Sequence, residues 1–436
     1  MKLLRRRGAR LVGAGLADQV VVALANAGNS LVALLLLPDT GRAGVLVLAL
    51  AVGYAAVSLN RAFVGEVLLA LAARFEPADR ARLIRDGLAA ALVTGLLTAL
   101  VLVVVRLLAS ADLRDLGWIA LVIPVVMLQD TARFSLLAQA RQQQALLNDI
   151  GLVVVQAAAV VTLAVTHHVT AGGLVLCWGL GALAGYTGYV LRGGPLPWRG
   201  DPRRWPAQTR RLAGWFTATA VVGQVHTLLV TFLIGVGLST GAVALFRLVQ
   251  VTVLQPVQNF NQAVTSLLVP RLSRAAVMAK EQVNVQLRKI MTPLLVLAVA
   301  LVLVGGLLAQ VVFPLVPKYE DAAPLAWPVL LQAAIYLLQA PVLAALRGMH
   351  RGPLQFLQYV VFAVASVAGL AIGAATGELL TAAWGLVAGT LVGFATALLL
   401  YRRALRRDPA GRRAPRPVRR PKRRLPRPPA RQHTPA

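Results

Sequence analysis

The residues of this sequence that could do chemistry are polar side chains set into long apolar stretches. The clearest series lies between residues 242 and 269, where polar side chains recur at helical spacing. It consists of Arg247, Gln250, Gln258, Asn261, Gln262 and Thr265. An α-helix turns about 100° per residue, so these side chains share one face, and Pro256 is placed to kink the helix. Such a face is typical of a helix that borders protein or a water-filled cavity.

Other apolar stretches also carry polar residues. Asp18, Asn26 and Asn29 fall within about 80° of one another on a helix, so they form one polar stripe. Asp130 and Arg133 are three residues apart and can pair on one face. The remaining positions are Asn60, Arg61 and Glu66 in one stretch, and Gln224, His226, Thr227 and Thr231 in another.

Each of these groups has a structural alternative to a functional role. Arg61 and Arg247 lie within a few residues of the ends of their stretches, where a guanidinium can reach the membrane surface. Arg133 could instead be neutralised by Asp130. The amides could hold helices together at about 0.6 kcal/mol per hydrogen bond. His226 titrates near neutral pH, so proton coupling and simple helix packing both remain open for it.

The stretches that position these residues require lipid as their solvent. The chain has 436 residues, of which 58% are hydrophobic and 14% charged, whereas soluble domains carry roughly 25% charged residues. A helix of about 20 apolar residues crosses a bilayer core. The sequence therefore predicts an all-α polytopic membrane protein with about twelve transmembrane helices. These are expected at 13–37, 43–66, 87–108, 117–138, 149–167, 172–191, 213–237, 242–269, 291–316, 324–346, 354–375 and 379–401.

The charge distribution predicts the orientation of these helices. The chain has 44 Lys and Arg against 16 Asp and Glu, a net charge of +28, and the basic residues concentrate in alternate loops and at the C-terminus. The positive-inside rule then places both termini in the cytoplasm of a bacterial-type plasma membrane. Residues 402–436, rich in Pro and Arg, are predicted to be a disordered tail that lies against anionic lipids. Because the charge reports orientation, no nucleic-acid partner is expected.

An internal repeat predicts how the helices are grouped. An offset of 200 residues aligns Thr40-Gly41 with Thr240-Gly241 and Arg74 with Arg274, although chance similarity between apolar helices is the alternative. The repeat predicts two pseudo-symmetric six-helix bundles, 1–191 and 213–401, with a cytoplasmic linker at 192–212 and the tail at 402–436. Six is an even number, so both bundles have one orientation and a working cavity is expected between them.

No catalytic constellation is present in the sequence. It contains no His or Cys set with metal-ligand spacing, no P-loop and no Gly-rich phosphate cradle. The single cysteine, Cys177, lies in an apolar stretch, which excludes a disulfide scaffold. Most predicted outer loops are too short to fold. We therefore expect neither catalytic residues nor a metal or cofactor, and the chain is predicted not to be an enzyme.

The polar stripes and the segments around them resemble a known family, the bacterial polysaccharide exporters. These are the O-antigen (Wzx-type) flippases of the multidrug/oligosaccharidyl-lipid/polysaccharide (MOP) exporter superfamily. The resemblance covers most of residues 13–401. It rests on Asp18-Gln19 to Asn29-Ser30, Gly41 and Gly44, Leu59-Asn60-Arg61, Phe246-Arg247, Pro270 to Ser273, Phe313 to Tyr319 and Leu346 to Gly348.

The resemblance implies a substrate and a set of site residues. Members of the family have twelve helices in two six-helix lobes and flip a polyprenyl-diphosphate-linked oligosaccharide from the inner to the outer leaflet for cell-surface polysaccharide biosynthesis. Other polysaccharide-assembly membrane proteins are implied as partners. Pyrophosphate contact then falls to Arg61, Arg133 and Arg247, sugar contact to Asn26, Asn29, Gln250, Gln258 and Asn261, and ion coupling to Asp18 and His226.

Two other functions remain open from the sequence. The first is an H⁺- or Na⁺-coupled exporter of drugs or metabolites from the same superfamily, which needs a deep acidic group, whereas Asp18 and Glu66 lie near the predicted inner side. The second is a non-transporting scaffold for a glycan synthase. That function would depend on the tail 402–436 and leave cavity substitutions silent.

Overall fold

The fold is built of long α-helices, as the apolar stretches predict. In a computed structural model of the chain, the described residues are Leu37, 40–108, 115–278, 280–315 and 317–406. Ten helices among them are long and apolar enough to cross a membrane. The prediction of an all-α polytopic membrane protein is thereby confirmed. Most of the first predicted span, with Asp18, Asn26 and Asn29, lies outside the described residues, as does 407–436 of the tail.

The first described helix of the first bundle begins at Thr40, next to Gly41 of the predicted repeat. One long helix is interrupted by a π-helical turn at Arg61–Gly65. The helices are α1 (Thr40–Asn60), α2 (Glu66–Leu71), α3 (Pro77–Leu108), α4 (Asp115–Ala138), α5 (Gln142–Val165) and α6 (Ala171–Leu191).

The second bundle repeats this pattern, since its second helix begins at Thr240 and also contains a π-helical turn, Gln250–Leu254. Its helices are α7 (Arg204–Gly237), α8 (Thr240–Val249), α9 (Gln255–Met278), α10 (Lys280–Val312), α11 (Ala323–Gly348), α12 (Gly352–Ala374) and α13 (Leu379–Arg406). Each predicted span after the first therefore contains a helix. α7 starts inside the segment 192–212 that the sequence assigns to the linker.

The helices alternate in direction, so the connecting loops fall at two ends of the molecule. We call the end with loops 72–76, 139–141, 192–203 and 349–351 the inner end, and the end with loops 166–170, 238–239 and 375–378 the outer end. Residues 192–203 are packed on α3: a Cβ on Gly200 would overlap the Arg85 carbonyl oxygen. The Asp201 N–H also donates to the Asp86 carboxylate at 2.9 Å. The segment between the bundles is therefore fixed to the first bundle.

Glycines set the tightest helix crossing, between α12 and α13. A Cβ added to Gly385 would overlap the Gly369 carbonyl oxygen, and one on Gly389 would overlap the Ser366 backbone. Small residues let membrane helices approach closely where apolar contact alone gives little driving force. The crossing fixes Ser366, which faces α7.

The two bundles meet at the inner end through a cluster of polar contacts. Arg74 Nε donates to Ser273 Oγ at 2.7 Å, and its terminal nitrogen donates to the Gly348 carbonyl at 2.6 Å. Ser273 Oγ donates in turn to the Ala70 carbonyl at 2.7 Å. The Arg74 side chain of the first bundle thus binds two helices of the second. We call this cluster, together with the Glu66–Arg347 ion pair and the contact between His350 and the Ala70 carbonyl, the inner contact.

An ion pair and a histidine complete the inner contact. Arg347 of α11 pairs with Glu66 of α2 at 3.2 Å. His350 Nε2 lies 3.1 Å from the Ala70 carbonyl, which can only accept, so this nitrogen carries the proton. Burial lowers the pKa of His350 to about 4, and the positive charge of Arg74 adds to this effect. The ring is therefore neutral at pH 7.

Candidate functional site

A cavity of about 380 Å³ opens inside the second bundle. Its lining comes from α7, α8, α9, α11, α12, α13 and the π-helical turn Gln250–Leu254. The repeat predicts a cavity between the bundles, whereas all described residues that line this one belong to the second. Five of the predicted site residues line it: His226, Arg247, Gln250, Gln258 and Asn261.

Arg247 is held at the cavity by neutral partners. Its guanidinium donates to Thr231 Oγ1 at 2.6 Å and to Gln250 Oε1 at 3.4 Å. The side chain is exposed towards the cavity, and no carboxylate pairs with it among the described residues. A guanidinium in this setting keeps donors available for an incoming anion.

The π-helical turn explains how one sequence stretch directs so many polar groups into the cavity. Pro256 has no N–H, so the helix loses a backbone hydrogen bond just before it, and the five residues Gln250–Leu254 adopt the wider turn. Thr252 Oγ1 donates to the Leu248 carbonyl at 2.9 Å and stabilises this segment. The wider turn brings Gln250 and Gln258 onto the same cavity wall.

Several polar atoms of the cavity wall have no partner in the protein. Asn261 Oδ1, Gln262 Nε2 and Arg347 Nε are buried and form no hydrogen bond with the described residues. A buried polar group without a partner costs about 1–3 kcal/mol. Since one of the three atoms accepts and two donate, a ligand with hydroxyl and anionic groups would satisfy all of them.

One wall of the cavity was not predicted from the sequence. α11 contributes side chains at intervals of three and four residues, which places them on one helix face. They are Gln332, Tyr336, Gln339, Leu343 and Arg347. The sequence shows this spacing, but the predicted span ends at residue 346 and so places Arg347 in a loop. The structure extends α11 to Gly348, so Arg347 belongs to the cavity wall.

His226 lies where an aromatic cluster closes the cavity. Its Nε2 is 3.2 Å from Ser366 Oγ, and its ring centroid is 5.0 Å from that of Phe362. Tyr336 and Tyr359 pack edge-on to the same Phe362 ring, at 5.9 and 5.3 Å. The histidine therefore has a packing role, and its exposure to the cavity keeps proton coupling as a prediction.

Arg61, predicted to bind pyrophosphate, is held by a carboxylate of the first bundle. It donates to both oxygens of Asp130, at 2.8 and 3.2 Å. This bidentate pair keeps the guanidinium within the bundle, so the alternative that Arg61 extends to the membrane surface is wrong. The guanidinium also lies 5.3 Å from the centre of the Phe134 ring.

Arg133 is the most buried of the three predicted arginines. Its Nε donates to Asp149 Oδ2 at 2.6 Å, and the two side chains are only 3% and 2% exposed. The spacing of the two residues predicts that Asp130 neutralises Arg133, but Asp130 binds Arg61, and Arg133 pairs with Asp149 on the next helix. Gln129 Nε2 donates to the other Asp149 oxygen at 3.0 Å. Arg133 is therefore part of a structural pair.

A glycine makes room for the ring between these two arginines. Phe134 lies under Arg61 and Arg133, at 5.3 and 5.9 Å from its ring centre. A Cβ on Gly65 would come within 2.9 Å of the Phe134 ring, so only glycine fits there. Asn60 joins three helices nearby, since it donates to Thr131 at 3.2 Å and accepts from Thr94 at 2.8 Å.

The described helices define a class, a polytopic helical membrane protein, and solved structures of transporters share its fold. The MATE transporter VcmN of Vibrio cholerae, solved as a mutant, matches with a TM-score of 0.77 and 14% identity over 93% of this chain and 98% of that one. An outward-facing multidrug resistance MATE transporter of the MOP superfamily matches with a TM-score of 0.75 and 12% identity, over 91% and 95%.

A third similar structure is a MOP superfamily transporter from Pyrococcus furiosus, for which a reverse polarity of the binding pocket suggests a different function. Its TM-score is 0.74, at 13% identity over 91% of this chain and 95% of that one. No protein-family model and no curated protein matches the sequence. The chain thus has the fold of the MATE transporters of the MOP superfamily, and these three solved structures are of transporters.

Proposed function

We propose that this chain is a membrane transporter that flips a polyprenyl-diphosphate-linked oligosaccharide from the inner to the outer leaflet for cell-surface polysaccharide biosynthesis. Both termini would be cytoplasmic in a bacterial-type plasma membrane, in line with the basic inner end. The two bundles would alternate in access to the two sides, as the fold of transporters with repeated bundles allows.

The charge of the cavity carries this proposal. None of the described lining residues is Asp or Glu. Of the two lining arginines, Arg347 pairs with Glu66 outside the lining, so Arg247 supplies the positive charge that has no carboxylate among the described residues. Arginine presents a planar set of donors that matches phosphate oxygens, and burial strengthens the interaction. An anionic head group is therefore a better match for this cavity than a cation.

The side-chain amides of the cavity suggest where the sugars would lie. One wall carries three side-chain amides, from Gln250, Gln258 and Asn261. Each amide has donors and an acceptor that can form hydrogen bonds with sugar hydroxyls. The unpartnered Asn261 Oδ1 is one such acceptor. Arg247 would hold the diphosphate and the hydrocarbon tail would remain in lipid. Of the three predicted arginines, Arg61 and Arg133 would support the first bundle through their carboxylate partners.

The alternative of an H⁺- or Na⁺-coupled drug exporter is favoured by one observation, the fold shared with a multidrug resistance transporter. The same cavity argues against a cationic drug, because a cation would lie beside Arg247 without a carboxylate from the described lining. His226 is the titratable group at which a proton would be exchanged in that case.

Reconstituted transport tests the proposal. The full chain would be reconstituted in proteoliposomes with a fluorescent polyprenyl-diphosphate disaccharide. Movement of this lipid across the bilayer would be measured as its accessibility to a quencher added outside the vesicles. Arg247→Gln removes the guanidinium, so we expect the rate to fall at least tenfold, equivalent to about 1.4 kcal/mol. The matched control is Arg211→Gln, which removes an exposed arginine from the inner part of α7 outside the cavity.

Two results would contradict the proposal. One is an unchanged rate in a correctly folded Arg247→Gln variant. The other is equal transport of the same disaccharide on a phosphate-free lipid, which would remove the need for a cationic cavity. If instead outer-leaflet glycan in cells survives every cavity substitution and is lost on deletion of 402–436, the scaffold function is favoured.

A further inference from the structure

A second pocket lies at the inner end of the first bundle, away from the transport cavity. It measures about 240 Å³ and is enclosed by the start of α3, the α4–α5 loop and the end of α6. Arginines from three elements line it: Arg85, Arg141 and Arg192. Not one of the described residues that line it is acidic. Like charges converge here without a compensating carboxylate.

Two of these arginines keep all their donors available. The side chains of Arg85 and Arg141 form no hydrogen bond or ion pair with the part of the chain that the structure describes. Arg192 donates to Asn148 Oδ1 and to the Gly188 carbonyl, which fixes it at the pocket edge. Three guanidinium groups that line one small pocket give it a positive potential, which favours the binding of an anion.

The pocket has a rigid frame. α6 ends at Leu191, and Gly193 follows with a φ of 84°, a conformation that favours glycine. Gly194 lies on the Tyr189 ring so closely that a Cβ would overlap it, and Tyr189 Oη is 3.1 Å from Ser135 Oγ. The turn and the ring therefore form a fixed wall. The N-terminus of α5 begins at Gln142 beside the pocket and adds a partial positive charge.

Exposed apolar side chains lie close in the chain to residues that line the pocket, since Leu147 precedes Asn148 and Leu191 precedes Arg192. Leu147 and Leu191 are 51% and 81% exposed, and Trp198 of the adjacent 192–203 segment is 70% exposed. Exposed leucines match acyl chains, and Trp is typical of the level of lipid head groups. The guanidinium pocket thus lies beside surface that suits lipid tails.

We propose that this pocket binds the phosphate of an anionic phospholipid in the inner leaflet. The geometry assigns phosphate contact to Arg85 and Arg141, with Arg192 at the rim. A soluble phosphate shares this chemistry, but it would make no use of Leu147 and Leu191. The site is separate from the transport cavity and does not depend on the flippase function.

Photo-crosslinking on the full chain in nanodiscs tests the site. A photoactivatable phosphatidylglycerol should label peptides within 139–148 and 189–195 in the wild type, and Arg85→Gln/Arg141→Gln should reduce this labelling at least fivefold. Arg210→Gln, an exposed arginine of α7 outside the pocket, is the matched control. Its labelling should equal that of the wild type, and Arg85→Lys/Arg141→Lys should restore part of the signal.

Competition then identifies the source of the phosphate. Displacement by short-chain phosphatidylglycerol but not by millimolar inorganic phosphate supports a lipid, whereas equal displacement by inorganic phosphate supports the phosphate site but overturns the lipid. Equal labelling of wild type and double variant would overturn the site itself. A thermal melt of each variant checks folding, and since the two arginines have no described partner, the midpoint should stay within about 2 °C of the wild type.

Discussion

The two bundles use intramembrane charge in opposite ways. In the first bundle, Arg61 and Arg133 are each matched by a carboxylate, and the second of these pairs is almost fully buried. In the second bundle, Arg247 has only hydroxyl and amide partners at an open cavity. A paired arginine stabilises the helices around it, while an arginine held by neutral groups remains able to bind an anion.

The comparison shows that the presence of an arginine in a span does not define a site; its partner does. The three arginines are alike in the sequence, and each interrupts an apolar stretch. Their difference comes from the neighbouring helices: Asp149 reaches Arg133 from α5, and Thr231 reaches Arg247 from α7, each 16 positions away in the chain.

The largest effect should come from the buried pair of the first bundle. Asp149→Asn leaves Arg133 without its carboxylate in a buried position, and breaking such a pair costs about 3–5 kcal/mol. We expect a large loss of monodisperse protein in fluorescence-detected size-exclusion chromatography. Arg247→Gln is the counterpart in the second bundle and should leave the elution profile unchanged. Equal loss of folded protein in both variants would erase the difference between the bundles.

A smaller effect is expected where the two bundles meet. Glu66→Gln removes the ion pair with Arg347, so the inner contact should open more often. In a Cys177→Ala background, Val269→Cys places a thiol at a position that is 1% exposed and packed near the first bundle. Its labelling by a water-soluble maleimide should become several-fold faster with Glu66→Gln.

Glu378→Gln provides the control for that experiment, because it removes a carboxylate at the outer end, away from the inner contact. The labelling rate should then match that of the background. Unchanged labelling with Glu66→Gln would show that the Glu66–Arg347 pair does not hold the bundles together.

The smallest effect concerns pH. The pKa of His350 is about 4 in the folded chain, below the usual 6.5 of a histidine, so the unfolded chain binds the extra proton first as pH falls. The contribution of neutral His350 to the free energy of unfolding is fully present above about pH 6.5 and declines as the pH falls towards 4. From pH 7 to 5 we expect a loss of the order of 1 kcal/mol, read as a lower thermal midpoint.

His350→Asn isolates this effect, because asparagine does not titrate there and tolerates the φ of 58° found at His350. Its midpoint should depend less on pH over the same interval. A wild type and variant with parallel pH profiles would rule out His350 as the source of the dependence.

One wall of the cavity could be predicted from the sequence because its polar residues follow one another along a single predicted span. The face from Arg247 to Asn261 follows from spacing alone, and the structure places it on the cavity wall. The helices themselves follow from apolar length. Arg347 was missed because the end of a helix depends on its packing, and a basic residue near a predicted boundary reads as a loop residue.

Residue spacing in the sequence does not predict the ion pairs between helices. Asp130 and Arg133 are three residues apart, so a local pair was the natural expectation. The structure joins Asp130 to Arg61, 69 positions away in the chain, and Arg133 to Asp149. The position of the cavity inside one bundle likewise depends on how α11 packs against α9 and α12 against α7, which the repeat alone does not determine.

Equilibrium binding of a short-chain polyprenyl diphosphate to the purified full chain tests the central claim most directly. The wild type should bind it, and Arg247→Gln should raise the Kd at least tenfold, about 1.4 kcal/mol, while Arg211→Gln leaves it unchanged. Binding that is unaffected by Arg247→Gln, or equally tight for the uncharged polyprenol, would contradict an anion site in the second bundle.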